Sequence, residues 1–177
     1  MANIRKYLNY TPQIASSAFI DESAVIIGRV KIGENASIWC NAVARGDVAD
    51  IIIGNNSNIQ DLTTLHVTHD NPGKTEETPL IIGNNVTVGH NCCLHACTLH
   101  NNILVGMGST VLDNAVIEDN VMIGAGSLVP PNKHLAGGYL YFGNPVKQIR
   151  PLTEAEIAHL AYSAEHYVEI ANNHKNS

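Results

Sequence analysis

Aliphatic residues recur every six positions along this chain: Ile14, Ile20, Ile26, Ile32, Ile38 and Ala44. After a slip of three residues the series resumes at Ile53, Ile59 and Leu65. A longer excursion, HVTHDNPGKTEETP, intervenes. The period returns at Ile82, Val88 and Leu94, slips by one, and runs through Leu99, Val105, Val111, Ile117, Ile123 and Val129. Gly often follows the aliphatic residue (Gly33, Gly54, Gly83, Gly106), and Asn or Asp pairs come next, as in Asn55-Asn56 and Asn84-Asn85. These residues tolerate positive φ. Each hexad therefore reads as a short strand plus a corner. Three hexads close one triangular coil, and each coil hydrogen-bonds to the next at the ~4.8 Å strand spacing. The pattern predicts an all-β, parallel β-helix of about six coils with the aliphatic residues stacked inside. A β-sandwich is the alternative, but its strands recur at ~8–12 residues and alternate with period two.

Pro130-Pro131 is expected to end the repeat. Beyond it, GGYLYFGNPVKQIRP reads as a loop and extended segment. Thr153 and Glu156 then form a capping box just after Pro151. Apolar residues at Ile157, Leu160, Ala161, Ala164, Tyr167, Val168 and Ala171 predict a helix over 153–171 lying along a coil wall. The last residues, NNHKNS, read as frayed. The expected organisation is a β-helix domain with a short N-terminal lead over 1–135, and a loop and packed C-terminal helix over 136–177.

Composition narrows the function classes. A length of 177 residues suits one domain, and 45% hydrophobic residues exclude a disordered chain. The formal charge of −6, with no basic run, argues against nucleic acid or an acidic membrane surface as partner. No stretch approaches the ~20 apolar residues of a membrane helix. The N-terminus lacks the apolar run of a signal peptide, so a cytoplasmic protein is expected. Cys40, Cys92, Cys93 and Cys97 are too few for a disulfide scaffold and are not spaced as a zinc ribbon. They read as reduced, buried thiols.

The repeat also locates the candidate chemistry. His66 directly follows Leu65, and His95 directly follows Leu94, each in the third hexad of its coil. They should stack one strand spacing apart, where two imidazoles can share one ion at ~2.0–2.1 Å each. His90 belongs to the second hexad and lies around a corner. A symmetric trimer would resolve this, because His66 and His95 of one chain could meet His90 of the next. Three neutral imidazoles with an open fourth position make a catalytic zinc arrangement. The other six histidines read as surface or hydrogen-bonded residues.

These residues resemble the gamma-class carbonic anhydrases of the hexapeptide-repeat superfamily. The matching segments are Ala44-Arg45-Gly46-Asp47, Asn58-Ile59-Gln60-Asp61, Leu65-His66-Val67, and Val88-Gly89-His90 leading to Leu94-His95. The ending, YLYFGNPVKQIRPLTEAE with AYSAEHYV, looks like the bacterial subgroup. The resemblance implies a left-handed β-helix, a homotrimer, and Zn²⁺, Fe²⁺ or Co²⁺ held between subunits by His66, His90 and His95. It implies CO₂ hydration to bicarbonate by metal-bound hydroxide, with Gln60 and Asn58 beside the reacting water and Tyr162 reaching the site. Arg45 and Asp61 match an interface salt bridge that Asp47 supports; all three also read as ordinary interface charges. Asn58 reads equally as a turn residue, and Tyr162 equally as core.

The resemblance departs where proton export is concerned. The archaeal prototype carries a Glu shortly after its RGD, whereas Val48 follows Asp47 here. Its second acidic-loop Glu has no secure match in Glu76 or Glu77, and His69 is a possible substitute that reads more simply as a surface residue. Two other functions share the fold. One is a hexapeptide acyltransferase with one His as general base and coenzyme A between coils. The other is a metal-binding protein with little or no CO₂ hydration.

Overall fold

The computed structural model describes residues 2–69 and 77–177. The chain winds as a parallel β-solenoid with three walls. Asn3–Arg5, Thr64–His66, Cys93–His95, Thr110–Val111 and Leu128–Val129 belong to the first wall. Gln13–Ile14, Leu80–Ile82, Thr98–Leu99, Val116–Ile117 and His134–Leu135 belong to the second. Two long strands, Val25–Ile32 and Val43–Ile53, round the corner between these walls and contribute to both. The third wall runs from Phe19–Ile20 through Ser37–Ile38, Asn58–Ile59, Thr87–Val88, Leu104–Val105 and Met122–Ile123 to Tyr139–Gly143. Among the described residues each wall has seven parallel strands, with Val146–Pro151 adding an antiparallel eighth to the third wall, so the solenoid makes about seven turns and not six.

Register follows the six-residue period. Ile38 pairs with Ile59, Ile59 with Val88, Leu65 with Leu94, and Val88 with Val105. All six of these side chains are fully buried. Burial of each Ile or Leu is worth ~1.5–3 kcal/mol, repeated at every level of the stack.

The extra turn comes from both ends. At the N-terminus Ile4 pairs with Ile26, although ten residues separate Ile4 from Ile14. At the other end the repeat continues past Pro130-Pro131 to Leu135 and Tyr141. The two prolines fall at a corner, where Lys133 N donates to Pro130 O at 3.3 Å. A ladder amide is not needed there, so the missing N–H groups do not interrupt a wall.

The corners are held by asparagine. Asn35, Asn56, Asn85 and Asn102 all adopt positive φ, between 54° and 58°. Their amides chain from coil to coil: Asn35 Nδ2 to Asn56 Oδ1 at 3.3 Å, Asn56 to Asn85 at 3.0 Å, and Asn85 to Asn102 at 3.1 Å. The three-residue slip also has a structural meaning. Between Gly28 opposite Gly46 and Val30 opposite Ile51, the later strand carries three more residues than the earlier one. That bulge contains Asp47 and Val48.

Helix α1 spans Glu154–Lys175 and starts on the expected capping box, with Thr153 and Glu156 bonded reciprocally. It lies against the third wall, burying Leu160, Ala164 and Ala171. Two of the expected core positions, Ile157 and Ala161, are exposed. The last turn is not frayed. The His174 ring packs on Phe19 and Trp39 at 5.7 and 5.2 Å, and Lys175 Nζ reaches the Ser17 carbonyl. The helix thus runs down the stack to the first coils, about 33 Å for its 22 residues. All four thiols are unpaired; Cys92 and Cys97 are buried, Cys40 and Cys93 half-buried.

Candidate metal centre

His66 and His95 close the strands Thr64–His66 and Cys93–His95, and they face each other in register across adjacent coils. His66 Nδ1 lies 3.1 Å from His95 Nε2. The remaining nitrogen of each ring meets a carboxylate. His66 Nε2 is 3.0 Å from Asp47 Oδ1, and His95 Nδ1 is 2.7 Å from Asp113 Oδ1. A carboxylate takes the ring N–H and so assigns the tautomer. The two nitrogens that point at each other are then both lone-pair acceptors. Two acceptors at this separation call for a cation or a proton between them.

The charges around this pair favour that arrangement. Burial pushes the His66 pKa below its ordinary value despite the Asp47 carboxylate, so the ring is neutral near pH 7. Burial alone would raise Asp47, but the bonds from Arg45 and His66 outweigh it and hold the carboxyl below the usual range. Asp113 behaves likewise, with Thr68 and His95 as its donors.

His90 stands at a different corner, after the third-wall strand Thr87–Val88. Its Nδ1 is 2.6 Å from Asp61 Oδ2, which leaves Nε2 to coordinate. Among the described residues, no three His, Cys, Asp or Glu side chains of one chain are arranged to hold an ion. Within the chain, Arg45 bonds Asp47 and Asp61 bonds His90. An Arg45–Asp61 pair would therefore have to form between protomers.

Gln60 belongs with His90. Both line a pocket of about 190 Å³ with Thr87, Leu104, Met107 and Tyr167 among its walls. Gln60 Nε2 donates to Asn58 Oδ1 at 3.1 Å, and both residues are buried. Asn58 sits in a strand, paired opposite Thr87, rather than in a turn. Tyr162 is 58% exposed and stacks on His166 at 5.7 Å, so it is not a core residue of the protomer. The helix residues at the pocket are Ser163 and Tyr167. His69 is exposed and shares a second pocket, about 290 Å³, with Asp47, Val48 and Glu77. Glu77 is held by both terminal nitrogens of Arg29, at 3.0 and 3.1 Å; Glu76 lies outside the described residues.

Asp113 was not legible as a site residue from motif matching. It stands 18 residues beyond His95, one past Leu112, the position that the 17-residue register from Leu94 to Val111 puts opposite His95, so counting coils does not reach it. Thr68, which donates to Asp113, lies in the excursion and has no such signal.

The donor set passes a test of fit for a transition ion. Ligands of a tetrahedral ion at 2.0–2.1 Å stand ~3.3 Å apart, close to the separation of the two facing nitrogens. Carboxylate-backed imidazoles are the usual support of such ligands.

A solenoid of hexapeptide coils with carboxylate-backed imidazoles at its corners defines a hexapeptide-repeat protein. The family model described as bacterial transferase hexapeptide (six repeats) matches residues 96–131. Protein YrdA of Escherichia coli is 54% identical over 94% of this chain and 90% of its own. The carbonic anhydrase of Geobacillus kaustophilus is 47% identical over 94% of this chain and 87% of its own. A solved structure from Anaplasma phagocytophilum, titled a hexapeptide transferase family protein, has 46% identity and a TM-score of 0.90, covering 97% of both chains. The chain belongs to the gamma-class carbonic anhydrase family of hexapeptide-repeat proteins.

Proposed function

We propose that this protein is a metal-dependent carbonic anhydrase that interconverts CO₂ and bicarbonate at the interfaces of a homotrimer. His66 and His95 of one chain and His90 of a neighbour would hold Zn²⁺; Fe²⁺ and Co²⁺ suit three imidazoles equally. The observation that carries the reading is the convergence of two carboxylate-backed imidazole nitrogens at 3.1 Å. Among the described residues, neither His90 nor a third donor of the same chain joins them, which supports a shared site. The name of the Geobacillus kaustophilus relative supports the reaction.

When bound, the ion supplies Lewis acidity that lets water deprotonate near neutral pH. The chain does the rest. Asp47, Asp61 and Asp113 hold the three rings in their coordinating tautomers. Gln60 offers an amide to the reacting oxygen or to CO₂. Leu104, Val105 and Met107 give the pocket an apolar wall that limits water. His69, exposed in a pocket it shares with Asp47, would pass a proton to solvent.

Stopped-flow CO₂ hydration on protein of measured metal content tests the reading. About one ion per chain is expected, with turnover lost in His90→Ala. Metal-replete protein without turnover, prepared anaerobically to protect Fe²⁺, would sink it in favour of a binding protein. The titles of similar structures, "hexapeptide transferase family protein" and "putative acetyltransferase", favour a second reading, acyl transfer. Coenzyme A binding in a calorimetric titration separates the two.

A further inference from the structure

Behind Gln60 runs a line of side chains that reaches the terminal helix. Asn58 uses both halves of its amide: Oδ1 accepts from Gln60 Nε2 at 3.1 Å, and Nδ2 donates to Thr87 Oγ1 at 2.9 Å. Thr87 Oγ1 in turn lies 3.1 Å from Ser163 Oγ on α1. Asn58, Gln60 and Thr87 are at most 5% exposed, so water does not compete for these groups. A buried amide held by partners on both sides is fixed in place. The amides donate from Gln60 to Asn58 and from Asn58 to Thr87, and a hydroxyl–hydroxyl bond in which either oxygen can donate carries the line on to Ser163.

We propose that Thr87 and Ser163 are positioning residues that, through Asn58, hold the Gln60 amide in place with its Nε2 on Asn58. With Nε2 committed to Asn58, Gln60 presents its carbonyl Oε1 to the pocket it shares with His90. The direction matters for CO₂ hydration, and to that extent the inference rests on the function proposed above. An acceptor at this point takes the O–H hydrogen of the attacking oxygen and leaves its lone pair free for carbon. A reversed amide would donate into that lone pair and blunt it. A helix on the outside of the solenoid thereby anchors a group at the active corner.

The test uses full-length, ¹⁵N-labelled protein and the substitutions Thr87→Val, Thr87→Ser and Ser163→Ala. In metal-free wild type the Asn58 and Gln60 side-chain NH₂ groups should give single, dispersed resonance pairs that exchange slowly with water. Thr87→Val should move the Gln60 pair and speed its exchange at least about tenfold, the loss of one buried hydrogen bond. Ser163→Ala should do the same more weakly, and Thr87→Ser should restore the wild-type spectrum. In the metal-loaded enzyme, Thr87→Val should lower kcat about tenfold at unchanged KM and metal content. Thr87→Ser should recover it to within about twofold, which a merely structural role would not do. An unmoved Gln60 resonance in a folded Thr87→Val protein overturns the proposal. Wild type that lacks hydration altogether would overturn the carbonic anhydrase reading and leave the amide polarity to be judged by the spectra.

Discussion

His66, His90 and His95 each spend one ring nitrogen on an aspartate: Asp47, Asp61 and Asp113 in turn. The hydrogen bond costs the ring nothing as a ligand, because it occupies the nitrogen that does not coordinate. Asp113→Asn keeps the shape and removes the carboxylate, so His95 loses the partner that fixes its tautomer. Metal affinity should fall about 10–100-fold with the fold intact, as read by competition with a chromophoric chelator. Unchanged affinity would mean that the bond is incidental to the site. At the corners, Asn85→Ala would force a Cβ-bearing residue to keep φ near 55° without its amide bonds to Asn56 and Asn102. A loss of about 1–2 kcal/mol in urea unfolding is expected for the backbone cost alone.

At the scale of elements, α1 is tied at both ends. Its first turn is closed by the capping box and by Arg150, whose two terminal nitrogens grip the Glu156 carboxylate at 2.7 Å each. Arg150 and the Thr153 N–H hold the Glu156 pKa down to about 2, against an ordinary 4.5. A carboxylate with a depressed folded-state pKa stabilises fully above its unfolded value and loses that contribution as pH falls. Helicity over 154–157, followed by amide NMR, should therefore decline between about pH 4.5 and 2, and Glu156→Gln should show no such step. At its far end the helix is fixed by Trp39, whose ring meets Tyr167 edge-on at 5.7 Å and His174 at 5.2 Å. Between these anchors the helix covers Asn58 and Thr87, which would otherwise be wall residues open to water.

For the whole molecule, the decisive property is that the coils stack in fixed register while the two kinds of corner face different ways. His66 and His95 share one corner and His90 another. If the proposed centres form between chains, His66→Ala and His90→Ala proteins are each inactive but complementary. Refolded together at equal amounts, random trimers should regain about a quarter of their intact sites, since each site needs one correct chain on either side. Metal content and CO₂ hydration should recover together; no recovery would place all three ligands in one chain.

Much of this was readable from the chain alone because a repeat of six is a counting device. Once Leu65 and Leu94 are assigned to one wall, His66 and His95 must be neighbours, and their registered pair is what counting gives. Thr153 and Glu156 likewise announced the start of α1, because capping depends only on residues three apart. Counting failed where the spacing stretched. Ile4 stands ten residues before Ile14, and Pro130-Pro131 sits at a corner that does not need amides, so one turn of the stack was hidden. Contacts between elements distant in sequence were hidden for a different reason. Neither Asp113 as the support of His95, nor Ser163 against Thr87, nor His174 against Trp39 follows from local spacing. Such pairs are selected by how whole elements pack, and packing is decided by the entire buried surface at once.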